Sequence, residues 1–217
     1  KKFCKKNKLF LIEDASEALG SRYKSQHLGT FGDIGLLSFN GNKIVTSGGG
    51  GALITNKKEI YLKAKHLSQN AKLKHLWKYR YDDIGYNIAM PNLNAALGFS
   101  QIGKLSNNIK QKKKLFYFYK KIFSNFSLLK VAKINKNMKS NYWLITVLLN
   151  KKSFKMKDKI LIYMNKRGIR CRPVWQLLHT IKVFKKFPKM DLKQSKFLEK
   201  SIINLPSSPH IIINEKK

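Results

Sequence analysis

The chain has 217 residues, of which 45 are lysine or arginine and 11 are aspartate or glutamate, giving a formal net charge of +34 at pH 7. This length is sufficient for one or two domains with a buried core. The two cysteines and five histidines show no metal-ligand spacing, which argues against a disulfide framework and a metal site and predicts a reducing, cytoplasmic environment. No apolar run is long enough for a signal-peptide core or a membrane span.

The positive charge raises the alternative of a nucleic-acid or anionic-membrane binder. Only five of the 45 basic residues are arginine, and lysine is spread along the whole chain, with a local peak at 110–114. Proteins that bind polyanions usually concentrate their charge and use arginine for bidentate phosphate contacts. We therefore expect no specific nucleic-acid partner and no membrane partner, and polyanion binding stays an alternative.

Three apolar runs near the start of the chain predict the strands of a mainly parallel sheet. They are LFLI at 9–12, IGLLSF at 34–39 and ALIT at 52–55. Three strands are too few for a parallel sheet that is covered on both faces. We therefore expect further strands before them, so that the chain would be the C-terminal part of a longer protein or the product of a split gene.

The polar residues after these strands can supply the protein side of pyridoxal phosphate chemistry. Asp14 follows the first strand and can keep a pyridinium nitrogen protonated, while Ser38 lies near the end of the second strand and can hold a phosphate. Lys43 follows a short loop and offers an amine that can condense with an aldehyde and then move protons. Taken singly, the lysine would be a surface residue and the aspartate a helix cap. The order of the three residues is what predicts a cofactor site.

Helical and extended patterns alternate in the rest of the chain. The apolar period predicts a helix over 57–72, and Pro91 is well placed at the start of a long helix over 92–123. A smaller α/β unit follows, with predicted strands at 142–149, 169–174 and 202–205 and predicted helices at 158–166, ended by a left-handed Gly168, and at 191–200. We therefore place one partial domain over 1–107, ending in a long bridging helix, and a small C-terminal α/β domain over 108–217.

The segment IRCRPVWQLLH of the second domain carries side chains suited to a substrate. Arg172 can pair with a phosphate or a carboxylate, Trp175 can stack on a planar ring or a sugar face, and His179 can donate to an oxygen. Spacing alone favours a surface histidine bonded to the backbone at position 179. These three residues are candidate substrate contacts.

Six sequence blocks carry a resemblance to a known family, and they are EDASEALGS, GTFGDIGLLSFNGNKIVTSGGGGALIT, AKHLSQNAK, DDIGYNIAMPNLNAALG, IRCRPVWQLLH and INLPSSP. Together they resemble the DegT/DnrJ/EryC/StrS sugar aminotransferases, which are fold-type I pyridoxal phosphate enzymes, and the resemblance extends over about 9–209. They look most like the branch that aminates carbon 4 of a UDP-linked 4-keto-6-deoxy-N-acetyl sugar for bacillosamine, legionaminic acid or related surface glycans.

The resemblance implies a fold and a role for each candidate residue. The fold would be α/β, namely the C-terminal part of the fold-type I large domain, which binds the cofactor, and a small C-terminal α/β domain. Lys43 would be the Schiff-base lysine, Asp14 the partner of the pyridine nitrogen, Glu17 a neighbour of the cofactor ring, and Ser38 a phosphate ligand. Asn87 would reach the cofactor phosphate of a neighbouring subunit, which implies a homodimer with shared active sites.

The lysine itself bears on the reaction, because some members of the family are dehydratases with histidine at that position. Lys43 therefore favours transamination, with an amino acid, by analogy glutamate, as donor and a nucleotide-linked keto sugar as acceptor. Relatives usually read GYNYR where this chain has Ile88 and Ala89, so we expect altered dimer packing or altered phosphate contacts. The alternative from another class is an inactive remnant that acts only as a binding or dimerisation module.

Overall fold

The computed structural model describes residues 1–211, and these form two units. The first unit contains residues 1–108 and 135–141, and the second contains residues 109–134 and 142–211. The earlier elements are α1 (Lys2–Lys6), β1 (Ile12–Asp14), β2 (Arg22–Tyr23), β3 (Gln26–His27), β4 (Ile34–Ser38), β5 (Gly51–Ile54), α2 (Lys58–Ser68), β6 (Lys72–Leu73), β7 (Arg80–Tyr81), α3 (Asn92–Ile102) and α4 (Leu105–Ile122). The later ones are β8 (Leu129–Val131), β9 (Met138–Lys139), β10 (Ile145–Leu149), α5 (Lys157–Lys166), β11 (Arg172–Pro173), α6 (Lys193–Ser201) and β12 (Ile202–Leu205).

The main sheet of the first unit has the strand order β1-β4-β5. Strands β1 and β4 are parallel, with Asp14 opposite Leu36, whereas β4 and β5 are antiparallel, with Ser38 opposite Gly51. The predicted α/β class is confirmed, but this sheet contains one parallel and one antiparallel pair and is not mainly parallel. The physical reason is that the loop at 39–50 contains no crossover helix, so the chain turns back beside β4.

The first strand begins later than its apolar run predicts. The main chain of Leu11 is engaged by Asp33, whose carboxylate accepts from the Leu11 N–H at 2.8 Å and whose N–H donates to the Leu11 oxygen at 2.8 Å. Residues 9–11 are therefore outside the strand, and Asp14 is the last residue of β1. The carboxylate thus lies at the carboxyl end of the strand, as the sequence predicts.

The predicted single helix over 92–123 is wrong, because the chain breaks it into α3 and α4 at Gly103 and Lys104. The N–H of Lys104 donates to the oxygen of Gln101 at 3.0 Å, which is a tightened turn and not the next α-helical bond. Glycine is a poor helix former, so this position is a natural place for the interruption. Helix α2 is found within the range predicted for it.

The second unit is built on an antiparallel sheet with the order β11-β12-β10-β8. Alternate residues of β10 are buried, and its inward side packs with β12 and Cys171 into one core cluster. Leu115 and Phe116 of α4 form a second cluster with Tyr142 and Ile145. Within the described residues, no helix combines the length and the apolar character that crossing a bilayer requires.

The predicted elements of the second unit are found, with shifted bounds. Strand β12 covers the predicted 202–205, and α5 ends before Gly168, which has the predicted left-handed conformation at φ +78°. The strand predicted at 142–149 starts only at Ile145, because Tyr142 has φ +55°. The strand predicted at 169–174 is reduced to Arg172–Pro173. Helix α6 begins at Lys193, two residues later than predicted, and its N-cap residue is Leu192; the Lys193 N–H donates to the Asp191 carboxylate at 2.9 Å.

Candidate active site

Lys43 and Glu17 come together in the first unit. The Nζ atom of Lys43 lies 3.2 Å from Oε1 of Glu17, and 12% of the lysine side chain is exposed against 50% of the glutamate side chain. Lys43 lies in the loop between β4 and β5, where its N–H donates to the Asn40 oxygen at 3.0 Å. A largely covered amine held by a carboxylate has a defined orientation, which a reacting group requires.

Asp14 is held ionised at the end of β1. Its Oδ1 atom accepts from the Ser16 hydroxyl at 2.5 Å and from the Ser16 N–H at 3.1 Å. These two hydrogen bonds lower the pKa of the Asp14 carboxyl, and the positive charge of Lys43 lowers it further. The side chain is exposed at the strand end, so it can face a ligand as a stable anion.

Ser38 ends β4, one strand away from Asp14. Its Oγ accepts from the Asn40 N–H at 3.4 Å, and the residue is half-buried. The glycine run that leads into β5 follows, and Gly48 and Gly50 have φ values of +81° and +79°. Such values suit glycine, so this loop has a backbone course that other residues would rarely adopt.

The loop that carries Lys43 is anchored by residues that the sequence reasoning did not single out. Ser47 is fully buried, and its N–H donates to the Phe39 oxygen at 2.9 Å, which closes the loop around the lysine. Asn94 of α3 donates from Nδ2 to the Ser47 oxygen at 2.6 Å. Val45 is also buried, at 1% exposure. These contacts therefore fix the part of the loop that follows Lys43.

Asn141, which the sequence reasoning also did not single out, holds the segment that contains Glu17. Asn141 is 3% exposed, and its Nδ2 donates to the main-chain oxygens of Glu17 at 2.7 Å and Leu19 at 3.0 Å. Its own N–H donates to the Ser21 hydroxyl at 3.0 Å. Asn141 is more than a hundred positions from Glu17 in the sequence, so no local pattern could have revealed the contact.

Glu13, directly before Asp14, was not singled out by the sequence reasoning either. Its carboxylate accepts from the N–H groups of Gly29 at 2.9 Å, Phe31 at 2.5 Å and Gly32 at 2.6 Å. Neighbouring residues of a strand point to opposite faces, so the same dipeptide serves two purposes. Glu13 fixes the loop before β4, whereas Asp14 is available at the strand end.

Asn87 is exposed and forms an isolated antiparallel bridge with Gln69. Ile88 and Ala89, the two residues that depart from the usual GYNYR pattern, line a cavity of about 200 Å³. The cavity is lined by Gly49, Gly50, Gly51, Ile88, Ala89, Met90, Pro91 and Asn94. The small side chain at position 89 thus adjoins the glycine loop that leads from Lys43 to β5.

The three candidate substrate residues lie in the second unit, on β11 and the segment after it. Arg172 is exposed, and its guanidinium donates to Oδ1 of Asn165 at 3.3 Å. Trp175 is 63% exposed and stacks on Trp143, whereas His179 is half-buried in the short 3₁₀ helix Leu178–Thr180. Throughout residues 1–211, the structure contains no cluster of His, Cys, Asp and Glu that could hold a metal ion.

The sequence profile of the DegT/DnrJ/EryC1/StrS aminotransferase family matches residues 1–216. The chain belongs to this family. The family predicted from the six sequence blocks is therefore confirmed.

Individual relatives agree with this assignment. The chain is 35% identical to GDP-perosamine synthase of Escherichia coli O157:H7 over 95% of its own length and 55% of that protein. It is 29% identical to UDP-4-amino-4,6-dideoxy-N-acetyl-beta-L-altrosamine transaminase of Campylobacter jejuni over 98% of its length and 57% of the relative. The chain thus spans about half the length of the curated relatives it matches.

A solved structure supports the fold. The structure of Helicobacter pylori PseC, an aminotransferase involved in the biosynthesis of pseudoaminic acid, superposes with a TM-score of 0.92 at 28% identity. The match covers 98% of this chain and 58% of PseC. Over the part that this chain covers, the predicted aminotransferase fold is therefore confirmed.

Proposed function

We propose that the protein is a cytoplasmic pyridoxal phosphate-dependent aminotransferase that moves an amino group from an amino acid to a nucleotide-linked keto sugar in surface glycan biosynthesis. We propose glutamate as the amino acid, as the family resemblance of the sequence implies. The observation that carries the proposal is the pairing of Lys43 with Glu17, and the proximity of its charge to Asp14, in a chain of this family.

The residues of the first unit fit the cofactor. Asp14 is a carboxylate with a lowered pKa, Ser38 offers a hydroxyl at a strand end, and Lys43 offers an oriented amine. The glycine run beside them leaves room for the backbone to approach a phosphate. When bound, pyridoxal phosphate supplies an aldehyde that carries the amino group and a ring that accepts electrons.

Each side chain then has a defined task. Asp14 stays ionised and keeps a ring nitrogen protonated, because the Ser16 hydrogen bonds favour its charged form. Lys43 moves a proton at the substrate carbon through its Nζ atom, and Glu17 holds that atom in place. Arg172, Trp175 and His179 provide, in this proposal, a cation for phosphate, an aromatic face for a ring and a donor for an oxygen.

The acceptor class follows from the relatives. The two curated relatives are named for a GDP-linked and a UDP-linked amino sugar, so a nucleotide sugar is proposed here without a choice of base. A hydrophobic pocket discriminates only weakly between close analogues of a sugar. Which nucleotide sugar binds best depends instead on the shape of the pocket.

A homodimer completes the proposal. Large apolar side chains are exposed in the segment before and around Asn87: Trp77 is 74% exposed, Tyr79 78%, Ile84 81% and Ile88 72%. Contiguous exposed apolar surface usually marks an interface. A second copy that covers this segment would bring Asn87 toward the neighbouring active site, where it can bind the cofactor phosphate.

A second candidate is a binding or dimerisation module without activity of its own. One observation favours it: one face of the β1-β4-β5 sheet exposes apolar residues. On that face Ile12 is 60% exposed, Leu36 38% and Leu53 42%. If this surface needs a further polypeptide to cover it, the cofactor site would form only when that polypeptide is bound.

The test is to titrate the purified chain with pyridoxal phosphate, reduce with borohydride and map the labelled peptides. We expect one dominant label on Lys43, absent in Lys43→Ala and retained in Lys63→Ala. Lys63 is a matched control because it is also paired with a carboxylate, that of Asp83. Labels scattered over many lysines, unchanged in Lys43→Ala, would contradict the proposal and favour the second candidate.

A further inference from the structure

Lys112 of α4 is buried, with 4% of its surface exposed, although lysine almost always remains in contact with water. Its Nζ donates to the main-chain oxygen of Trp143 at 3.3 Å and to the main-chain oxygen of Ser207. Both acceptors are neutral carbonyl groups. Burial disfavours the ammonium form, which lowers the pKa of Lys112 to about 8. Burying an amine here costs free energy that burying an apolar side chain would not cost, and the hydrogen bonds to the two carbonyl groups offset part of that cost.

The carbonyl group of Trp143 is held from two sides. Besides Lys112, the Ser207 hydroxyl donates to the same oxygen at 2.7 Å. The preceding residue, Tyr142, has φ +55°, a left-handed conformation that is strained for a bulky residue. Strained backbone persists where the surroundings fix it, and it clusters at ligand sites. Lys112 and Ser207 are two groups that hold this backbone on the side of Trp143.

The strained turn separates two aromatic side chains. Tyr142 is 9% exposed and packs in the core, where its ring lies 5.2 Å from that of Phe116. The next residue, Trp143, stacks on Trp175 with ring centroids 6.1 Å apart and ring planes at 11°. Trp175 itself is 63% exposed. The buried contacts of Lys112 are therefore connected, through one carbonyl group, to an exposed pair of parallel indoles.

We propose that Lys112 is a positioning residue that holds the Trp143–Trp175 pair as a rigid aromatic platform, and that the exposed face of Trp175 receives the base or sugar ring of a nucleotide sugar. An indole face can stack on any nucleobase and can pack against the C–H groups of a sugar ring. The choice of ligand depends on the proposed function. The positioning of the indole pair by Lys112 does not depend on the proposed function.

Circular dichroism tests the positioning role of Lys112 without any ligand. Two stacked indoles give an exciton signal, and the chain has three tryptophans, of which Trp77 is 74% exposed and can be replaced by phenylalanine. In this background, Trp175→Phe defines the signal of the pair. We expect Lys112→Met to remove at least half of that signal and the exposed neighbour Lys113→Met to leave it unchanged. An undiminished signal in folded Lys112→Met would overturn the positioning role.

Ser207→Ala gives a second test should Lys112→Met fail to fold. It removes the other hydrogen bond to the Trp143 oxygen and leaves the buried amine in place. We expect a smaller exciton signal and faster acrylamide quenching of tryptophan fluorescence than in the parent. An unchanged signal and unchanged quenching would show that this carbonyl group does not control the indole pair.

Equilibrium binding of UDP, GDP and UDP-N-acetylglucosamine tests the ligand. We expect at least one of them to bind the parent chain and to lose about fivefold or more in affinity in Trp175→Phe and in Lys112→Met. Absence of binding, or binding that both variants retain, would overturn the platform. Pyridoxal phosphate labelling of Lys43 is measured on the parent and on Lys113→Met, and we expect the two to label equally. Loss of that labelling in the parent would instead contradict the proposed function and leave the exciton result intact.

Discussion

The amine of Lys43 and the carboxylate of Glu17 are 26 positions apart in the sequence and 3.2 Å apart in the structure. The amine is the more covered partner, whereas the carboxylate is half exposed. An ion pair of this kind contributes less than about 1 kcal/mol to stability, so its value lies in orienting the amine.

Glu17→Ala should therefore slow the chemistry of Lys43 while leaving the fold intact. We expect the rate of pyridoxal phosphate labelling at Lys43 to fall several-fold, because the amine is no longer held toward the Asp14 end of the site. Thermal unfolding should be nearly unchanged. Glu59→Ala, an exposed acid in the first turn of α2, is the matched control and should label at the parental rate. Equal rates in the two variants would show that Glu17 does not orient the lysine.

Glu13→Ala should destabilise the first unit. The substitution leaves three main-chain N–H groups, those of Gly29, Phe31 and Gly32, without their acceptor. Each unsatisfied group costs about 1–3 kcal/mol when water cannot replace the acceptor. Because Phe31 and Gly32 are only half-buried and water reaches them, we expect a total loss near the lower end for three groups, roughly 3–4 kcal/mol, in urea unfolding. A loss comparable to that of Glu59→Ala would mean that water takes over the three hydrogen bonds.

Gly35→Ala should prevent normal folding of the same unit. A Cβ atom at Gly35 would overlap the main-chain oxygen of Gly29, and backbone cannot move aside as a flexible side chain can. Gly41 is the control, because a Cβ atom there has no neighbour within 4 Å. We expect loss of soluble protein or a large drop in the unfolding midpoint for Gly35→Ala alone. Equal midpoints for the two variants would contradict the close packing of β4 against the Gly29 loop.

Lys112 should make stability depend on pH in the alkaline range. Its pKa is about 8 in the folded chain and about 10.4 in an unfolded one. Between these values the unfolded chain binds a proton that the folded chain does not, so the free energy of unfolding rises with pH. The rise amounts to at most about 3 kcal/mol, and below the lower pKa the contribution is fully unfavourable.

Urea unfolding at pH values below, between and above these two pKa values measures this contribution. Removing the amine in Lys112→Met should flatten the rise, while Lys113→Met should follow the parent. The difference between the two variants matters, because the general repulsion among the other lysines also weakens as pH increases. Parallel curves for Lys112→Met and Lys113→Met would show that Lys112 keeps an ordinary pKa.

Local features determined much of the fold in advance. The apolar runs predicted β4 and β12, because short buried strands consist of such residues. Gly168 ended α5 as predicted, since glycine accepts the left-handed conformation that follows a helix. The order of Asp14, Ser38 and Lys43 along the chain predicts a cofactor site, because these residue types suit one cofactor and lie at or just after the ends of two paired strands, β1 and β4.

Only the tertiary structure decided the rest, because it depends on groups that are distant in sequence. The Lys43–Glu17 pair, the support of Glu17 by Asn141 and the three amides on Glu13 join segments that no periodic pattern connects. The antiparallel course of β5 depended on how the loop at 39–50 folds back. The burial of Lys112 could not be predicted either, since the chain has 45 basic residues and nothing in the sequence distinguishes this lysine from those at the surface. Composition and order of residues predict a type of chemistry, whereas packing decides which side chains are held in fixed positions.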